Sequence, residues 1–570
     1  MATIVENPYA DRVWLKSYPP GVPAEADLDA YANIGEILQH TCRKFARLPA
    51  FSCMGSTLTY ADLDRLSAQF GAWLQREAGL TREDRVAIML PNVLQYPVAI
   101  FGVLRAGMVV VNFNPLYTPR EVEHQLNDSG ATVIVVLENF AKTVQGVLGN
   151  TKVRKVVTTQ LGDLLGFPKS LIVNWVVKHR KKLVPAWDIP GSIAFKAALS
   201  AGARHKLAEP SLGHADLAFL QYTGGTTGVS KGAMLTHGNV VSNLQQVTAW
   251  IGSAFDEGKE ISITALPMYH IFALTGCCLV YMKLGAHNVL ITNPRDMKGF
   301  VAELGKYPFT SLSGVNTLFA GLLNAPGFAQ LDFSHLKLSL GGGMAVQRAV
   351  AERWKQVTGI PLLEAYGLTE TSPAACINPF VPGFEYNGTA GLPIPSTLVT
   401  IRDDNARVLP LGETGEICIS GPQVMKGYWN RPDETAKVMT ADGALRTGDI
   451  GFMNDQGYVK IVDRKKDMIL VSGFKVFPNE VEDVIAMMPG VLEVCAVPAP
   501  DEHSGEVVRV VIVRKDPSLT KEQVRAFCRE RLTGYKRPRI IEFWKELPKT
   551  NVGKVLRREV KDSPVRDAAA

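Results

Sequence analysis

The stretch RVAIMLPNVLQYPVAIFGVLRAGMVVVN, residues 85–112, sets the fold class. Val86 to Leu90 is an apolar run of strand length, Pro97 to Ala106 reads as a helix, and Met108 to Asn112 is a second apolar run rich in valine. Strands that are apolar throughout and alternate with helices belong to parallel sheets covered on both faces. The alternation continues with a helix over Pro119 to Asn127 and a strand over Ala131 to Leu137. Further buried strands are expected at Leu217 to Tyr222, Ile261 to Leu266 and Leu336 to Leu340, the last running into Gly341-Gly-Gly343. After about Gly388 the texture changes. Thr397 to Ile401, Gly415 to Ser420 and Gly457 to Ile461 are short strands between Gly, Asp and Asn turns, which suits a small antiparallel or barrel-like unit. A charged break, Asp463-Arg-Lys-Lys-Asp467, precedes a helix at Pro478 to Met488, strands at Glu493 to Val497 and Val507 to Val513, and a helix at Lys521 to Leu532. The boundary is placed at Lys466, dividing residues 1–466 from a small α+β domain, 467–570.

Composition removes several classes. The chain has 570 residues, 46% hydrophobic and 20% charged, with a net charge of +6. It can bury a large core, and the excess charge is too small to argue for nucleic acid. Eight scattered cysteines without a C-x-x-C pair match a reducing compartment, and ten histidines without H-x-H or H-E-x-x-H indicate no zinc site. Residues 1–20 lack the apolar core of a secretory signal, and Val93 to Phe113 is too interrupted to span a bilayer. A cytoplasmic protein is expected. One segment, residues 162–187, joins apolar Leu171-Ile-Val-Asn-Trp-Val-Val177 to basic Lys178-His-Arg-Lys-Lys182. Such a helix can lie on the inner, anionic face of a membrane as a peripheral contact, or be an ordinary solvated surface helix.

The chemistry concentrates in a few stretches. Tyr222-Thr-Gly-Gly-Thr-Thr-Gly-Val-Ser-Lys-Gly232 follows a buried strand. Its glycines let backbone N–H groups close around an anion, and Lys231 adds charge. It is not a Walker A loop, because Gly232 follows the lysine where Ser or Thr would hold magnesium. Gly228-Val-Ser230-Lys-Gly232 also matches G-x-S-x-G, with Asp449 and His503 in hydrolase order, but an elbow serine follows its strand directly and leads into a helix. Here a loop intervenes and Ala233-Met-Leu-Thr236 reads as extended. Glu364-Ala-Tyr-Gly-Leu-Thr-Glu-Thr-Ser-Pro373 offers a carboxylate beside hydroxyls, able to hold Mg2+ and phosphate, or a capped loop. Arg446-Thr-Gly-Asp449 presents a carboxylate to sugar hydroxyls, or a common turn. Pro548-Lys-Thr-Asn-Val-Gly-Lys554 lies in a basic tail.

Together and in this order, Tyr222–Gly232, Tyr366–Pro373, Arg446–Asp449, Asp463–Glu482 and Pro548–Lys554 closely resemble the adenylate-forming superfamily of acyl-CoA synthetases, luciferases and peptide-synthetase adenylation domains. The resemblance runs from about residue 30 to 562 and is nearest to the bacterial long-chain fatty-acid–CoA ligases, on Leu266-Pro-Met-Tyr-His-Ile-Phe-Ala-Leu-Thr275, Ile291-Thr-Asn-Pro-Arg-Asp296 and Asp463-Arg-Lys-Lys-Asp-Met-Ile-Leu-Val-Ser-Gly473. It implies an α/β fold: a large N-terminal domain of two parallel-rich sheets with a small β-barrel-like unit, and a small, mobile α+β C-terminal domain hinged near Lys466.

The resemblance further implies activation of a fatty acid by MgATP to acyl-adenylate, then transfer to coenzyme A. Thr223, Gly224, Gly225, Thr226, Thr227, Gly228, Ser230 and Lys231 would close over the phosphates, with Thr369. Glu370 would hold Mg2+. Tyr366 and Gly341, Gly342 and Gly343 would flank adenine, while Asp449 and Arg464 would grip ribose. Lys554 would bridge carboxylate and α-phosphate, and Gly473 and Lys475 would line the path of CoA. His270, Phe272, Ser313, Gly314 and Val315 would line the acyl pocket, where Leu274 replaces the aromatic gate of some long-chain members. The stretch around Tyr269 to Ala273 lacks the Asp with which relatives bind an amino acid's ammonium. No insertion disturbs Leu470 to Lys475, as it often does in carrier-loading enzymes. Alternatives are an acyl-AMP ligase, a CoA ligase for medium-chain or aromatic acids, a hydrolase, or a nucleotide-binding fatty-acid carrier. The partners expected are small molecules, with a homodimer possible in such families and no nucleic acid.

Overall fold

The computed structural model describes residues 9–223, 230–550 and 553–565. Residues 85–112 form strand Arg85–Met89, helix Gln95–Arg105 and strand Val109–Asn112. They centre a seven-stranded sheet in the order 193–194, 155–159, 133–137, 85–89, 109–112, 217–223, 231–236. Every pairing in it is parallel except the last, which is a hairpin. A nine-stranded sheet has a parallel centre (Leu338–Gly342, Ser311–Gly314, Ile261–Thr264, His287–Leu290) and antiparallel strands at both ends. All eleven residues of Gln95–Arg105 are buried. Helix residues Tyr96 to Leu104 share one continuous core with Val86, Ile88 and Val110 of one sheet and Phe51 and Leu290 of the other. This explains why the helix is apolar nearly all round.

Local signals start the helices where the chain turns. Thr59 with Asp62, Thr118 with Glu121, Thr236 with Asn239 and Thr520 with Gln523 each form a reciprocal capping box. A cap of this kind contributes about 1 kcal/mol.

Leu398–Arg402, Gly415–Ser420, Leu445–Met453 and Val459–Arg464 make an antiparallel meander whose outer strands do not pair among the described residues. The expected barrel-like unit is therefore an open sheet. Its last strand begins later than Gly457, because the Asn454–Gly457 turn closes the preceding hairpin and Gly457 has φ +85°. After Arg464 the Asp467 N–H closes a turn on the Arg464 carbonyl. Ile469–Val471 then opens a five-stranded sheet with its own core. In that sheet buried Arg509 pairs with Glu542 at 2.6 Å and donates to the carbonyls of Val560 and Ser563, fixing the C-terminal helix. Removing either partner of such a pair costs about 3–5 kcal/mol.

Residues 169–180 form a short helix that ends in a π turn. Among the described residues no helix is long and apolar enough to cross a membrane.

Candidate active site

Buried polar side chains tie the two sheets together next to His270. Asn92 donates to the carbonyls of Thr264 and Leu266 and accepts from the Met268 N–H. Tyr96 bonds Asn112 and the Met268 carbonyl, and Gln221 donates to the Tyr269 carbonyl at 2.6 Å. These bonds fix the segment that carries His270 over a cavity of about 1250 Å3.

The chain brings distant residues to this cavity. Thr223, Lys231, His270, Phe272, Ser313, Gly342, Gly343, Tyr366, Thr369, Glu370, Arg464 and Lys554 all line it. Its apolar wall includes Val247, Trp250, Ile251, Val280, Tyr281 and Leu338. The Thr550 N–H donates to the Lys554 carbonyl at 2.7 Å, and the carbonyl of Gly553, next to the lysine, accepts from Thr317 at 3.0 Å. Gly343, at φ +76°, has its open side toward Lys554: an added Cβ would stand 3.2 Å from Cε of the lysine. Burial, with Arg464 nearby, lowers the Lys554 ammonium to about 8, while Asp449 and Glu370 oppose the shift. The group still carries most of its charge at neutral pH. Burial likewise depresses His270 to about 3, so the ring is neutral, and its Nδ1 accepts the Phe272 N–H at 3.3 Å.

Asp449 stands behind this wall. One oxygen accepts from the Tyr366 hydroxyl at 2.7 Å, and the other meets Arg464 Nε at 3.1 Å. The Tyr366 phenol is held protonated by burial and by Asp449. Lys231 pairs with Glu434 at 2.5 Å, and Lys437 shares that carboxylate. Glu370 accepts from the Tyr428 hydroxyl at 2.6 Å.

Several expected residues stand elsewhere. Gly341 backs onto Val346 within its strand, and Gly314 is closed in by Leu318 and Phe319. Val315 packs beneath Gly343 and Gly553 rather than lining the cavity, and Leu274 is in the core. Ser230 turns its carbonyl to His124, while His503 is exposed on the Asp501–Ser504 turn, so no Ser–His–Asp triad forms. Gly473, at φ +83°, and exposed Lys475 sit on the hairpin of the small sheet, outside the cavity. Gly224, Gly225, Thr226, Thr227 and Gly228 lie outside the described residues. Sequence reasoning passed over Tyr428, Arg431 and Glu434, which also line the cavity. Their stretch, Gly427-Tyr-Trp-Asn-Arg-Pro-Asp-Glu434, offers only a turn signal in its Gly, Asn and Pro.

Among the described residues no group of three or more His, Cys, Asp or Glu could hold a metal by itself. Glu370 is a single carboxylate facing the cavity, with Oε2 free of any hydrogen bond among the described residues. That donor set fits Mg2+, which keeps waters and takes its remaining ligands from substrate phosphates.

The family model for AMP-binding enzymes matches residues 38–429, and that for the AMP-binding enzyme C-terminal domain matches 480–554. The chain is 55% identical to the long-chain-fatty-acid–CoA ligase of Escherichia coli O6:H1, covering 97% of this chain and 98% of that one. It is 50% identical to the ligase of the same description from Haemophilus influenzae, covering 97% and 99%. Among solved structures, ATP-bound MatB from Rhodopseudomonas palustris superposes with TM-score 0.78 at 27% identity, over 93% of this chain and 99% of that one. The anthranilate CoA ligase AuaEII in complex with anthranoyl-AMP has TM-score 0.82 at 23% identity, over 93% and 96%, a likeness of fold.

Proposed function

The chain belongs to the AMP-binding enzyme family, and from that premise we propose that it is an ATP-dependent ligase that activates a long-chain fatty acid and transfers it to coenzyme A. The carboxylate oxygen attacks the α-phosphorus of ATP, and pyrophosphate leaves with the electrons of the broken P–O bond. The sulfur of CoA then attacks the acyl carbonyl, and AMP leaves. The observation that carries the reading is Lys554, brought from the end of the chain into the cavity that Glu370, Thr223 and Lys231 line.

The first step brings two anions together, so fixed positive charge and position are what the protein supplies. Lys554 serves as a point charge between carboxylate and α-phosphate, with Thr369, Lys231 and Thr223 toward the β- and γ-phosphates. Mg2+ on Glu370 would neutralise phosphate charge. Tyr366 and Gly342–Gly343 flank the base, and Arg464 faces the ribose, held from behind by Asp449, which also accepts from Tyr366. The apolar wall from Val247 to Leu338 suits an alkyl chain, with neutral His270 and Phe272 at its entrance. In the second step the small domain turns about Lys466, withdraws Lys554 and presents Gly473 and Lys475 to CoA.

The finer reading includes a peripheral contact with an anionic membrane through residues 162–187. It is supported by Phe167, Leu171, Ile172, Trp175 and Leu183, each more than half exposed, beside exposed Lys178, Arg180, Lys181 and Lys182.

The test follows AMP and thioester from MgATP and palmitate, with and without CoA, against acetate, octanoate and benzoate. Thioester from palmitate that depends on CoA is expected. Adenylate without thioester would move the chain to the carrier-loading class, and AMP from none of the acids would overturn the ligase reading.

A further inference from the structure

Tyr428 touches both charged ends of the nucleotide site. Its hydroxyl donates to Oε1 of Glu370 at 2.6 Å, and its ring lies 4.8 Å from the Nζ of Lys231. Burial and the neighbouring Glu370 push the phenol far above its ordinary range, so it acts only as a donor to the carboxylate. The mount is stiff. Met425 N–H donates to the Glu370 carbonyl, Met234 N–H to Gly427, and Trp429 N–H to Gly232. The Tyr428 N–H donates to Thr435 Oγ1 at 2.9 Å.

We propose that Tyr428 is a positioning residue for the metal–nucleotide complex, holding the Glu370 carboxylate and the Lys231 ammonium in one fixed register. The terminal torsion of a glutamate is broad, so an unsupported carboxylate would turn freely. A neutral phenol fixes its plane without cancelling its charge, as a lysine or arginine would, and takes up only Oε1, leaving Oε2 without a hydrogen bond among the described residues. The aromatic face meanwhile seats the ammonium, which its quadrupole attracts. The inference rests on the reading above, that Glu370 holds the divalent cation and Lys231 the phosphates.

The test measures calorimetric binding of α,β-methylene-ATP, with and without Mg2+, to the full chain and to Y428F, Y428L and E370Q. In the unaltered chain Mg2+ should tighten binding. In Y428F, which keeps the ring, metal-free binding should be unchanged while the tightening by Mg2+ falls about tenfold, the scale of a lost hydrogen bond to a charged group. Y428L should also weaken metal-free binding, because Lys231 loses its seat. An unchanged Mg2+ effect in Y428F, or equal losses with and without Mg2+, would overturn the assignment while E370Q still loses the effect. A full Mg2+ effect in E370Q would instead remove the underlying reading of Glu370, and the inference with it.

Discussion

Two side chains at the site make separable predictions. Lys554→Ala removes the charge meant to sit between carboxylate and α-phosphate, so adenylation should fall by at least a hundredfold, about 3 kcal/mol of barrier. Thioester formation from supplied acyl-adenylate should persist within a few-fold. Rapid-quench assays of the two half-reactions decide this, and equal losses would remove Lys554 from its assigned role. Glu434 occupies the Lys231 ammonium that a phosphate would need. Glu434→Gln should free the lysine and relieve repulsion of the triphosphate, tightening metal-free nucleotide binding several-fold. Weaker binding would mean that the pair holds Lys231 in place rather than competing for it.

Among the elements, the helix Lys169–Trp175 stands apart, since it exposes apolar side chains where other helices bury them. A basic, Trp-bearing segment of this kind gains about 1 kcal/mol per cation near an anionic surface, in addition to its buried apolar area. Trp175→Ser combined with Leu171→Ser should abolish co-sedimentation with phosphatidylglycerol vesicles and leave synthesis from soluble octanoate unchanged. Binding that survives in the double variant would place the contact elsewhere. The nucleotide loops have a different logic. Strand 231–236 and turn 425–429 are joined by backbone hydrogen bonds, so Lys231 sits on sheet rather than on free loop.

At the scale of the whole molecule, the domain exchange proposed above would have the small domain meet the large one through Asp463. This side chain is fully buried, accepts the Asn479 N–H at 2.8 Å, and faces Arg557 and, beyond it, Glu482. Burial raises its carboxyl to about 6 against the pull of Arg557. The closed form therefore holds a proton that an exposed Asp463 would lose near pH 4. Its contribution to closure is complete below that value and is lost as pH rises through about 6. Tryptic cleavage beside Lys466 should accordingly increase between pH 5 and 7, and Asp463→Asn should flatten that rise. A profile in D463N as steep as that of the unaltered chain would exclude this carboxyl. Lys466→Pro should impair the domain exchange more than ATP binding, as separate half-reaction assays would reveal.

The sequence by itself determined what depends on local pattern. The apolar runs within residues 85–112 specify parallel strands because such strands are buried on both faces, and the Thr-x-x-Asp/Glu/Gln boxes start helices with their own side chains. The stretch Tyr366 to Pro373 read by itself as either a carboxylate beside hydroxyls or a capped loop, and only its order among the other motifs carried the resemblance. Only the tertiary structure decided which residues share the cavity. Tyr428 and Glu434 meet Glu370 and Lys231 through pairings between segments some 60 to 200 positions apart, which no local period encodes. Gly314 and Val315 adjoin Ser313 in sequence yet lie behind the wall. Gly314 follows Ser313 within the strand and so turns to the opposite face, while Val315 lies past the strand's end, where the chain enters helix Asn316–Asn324 and packs it beneath Gly343.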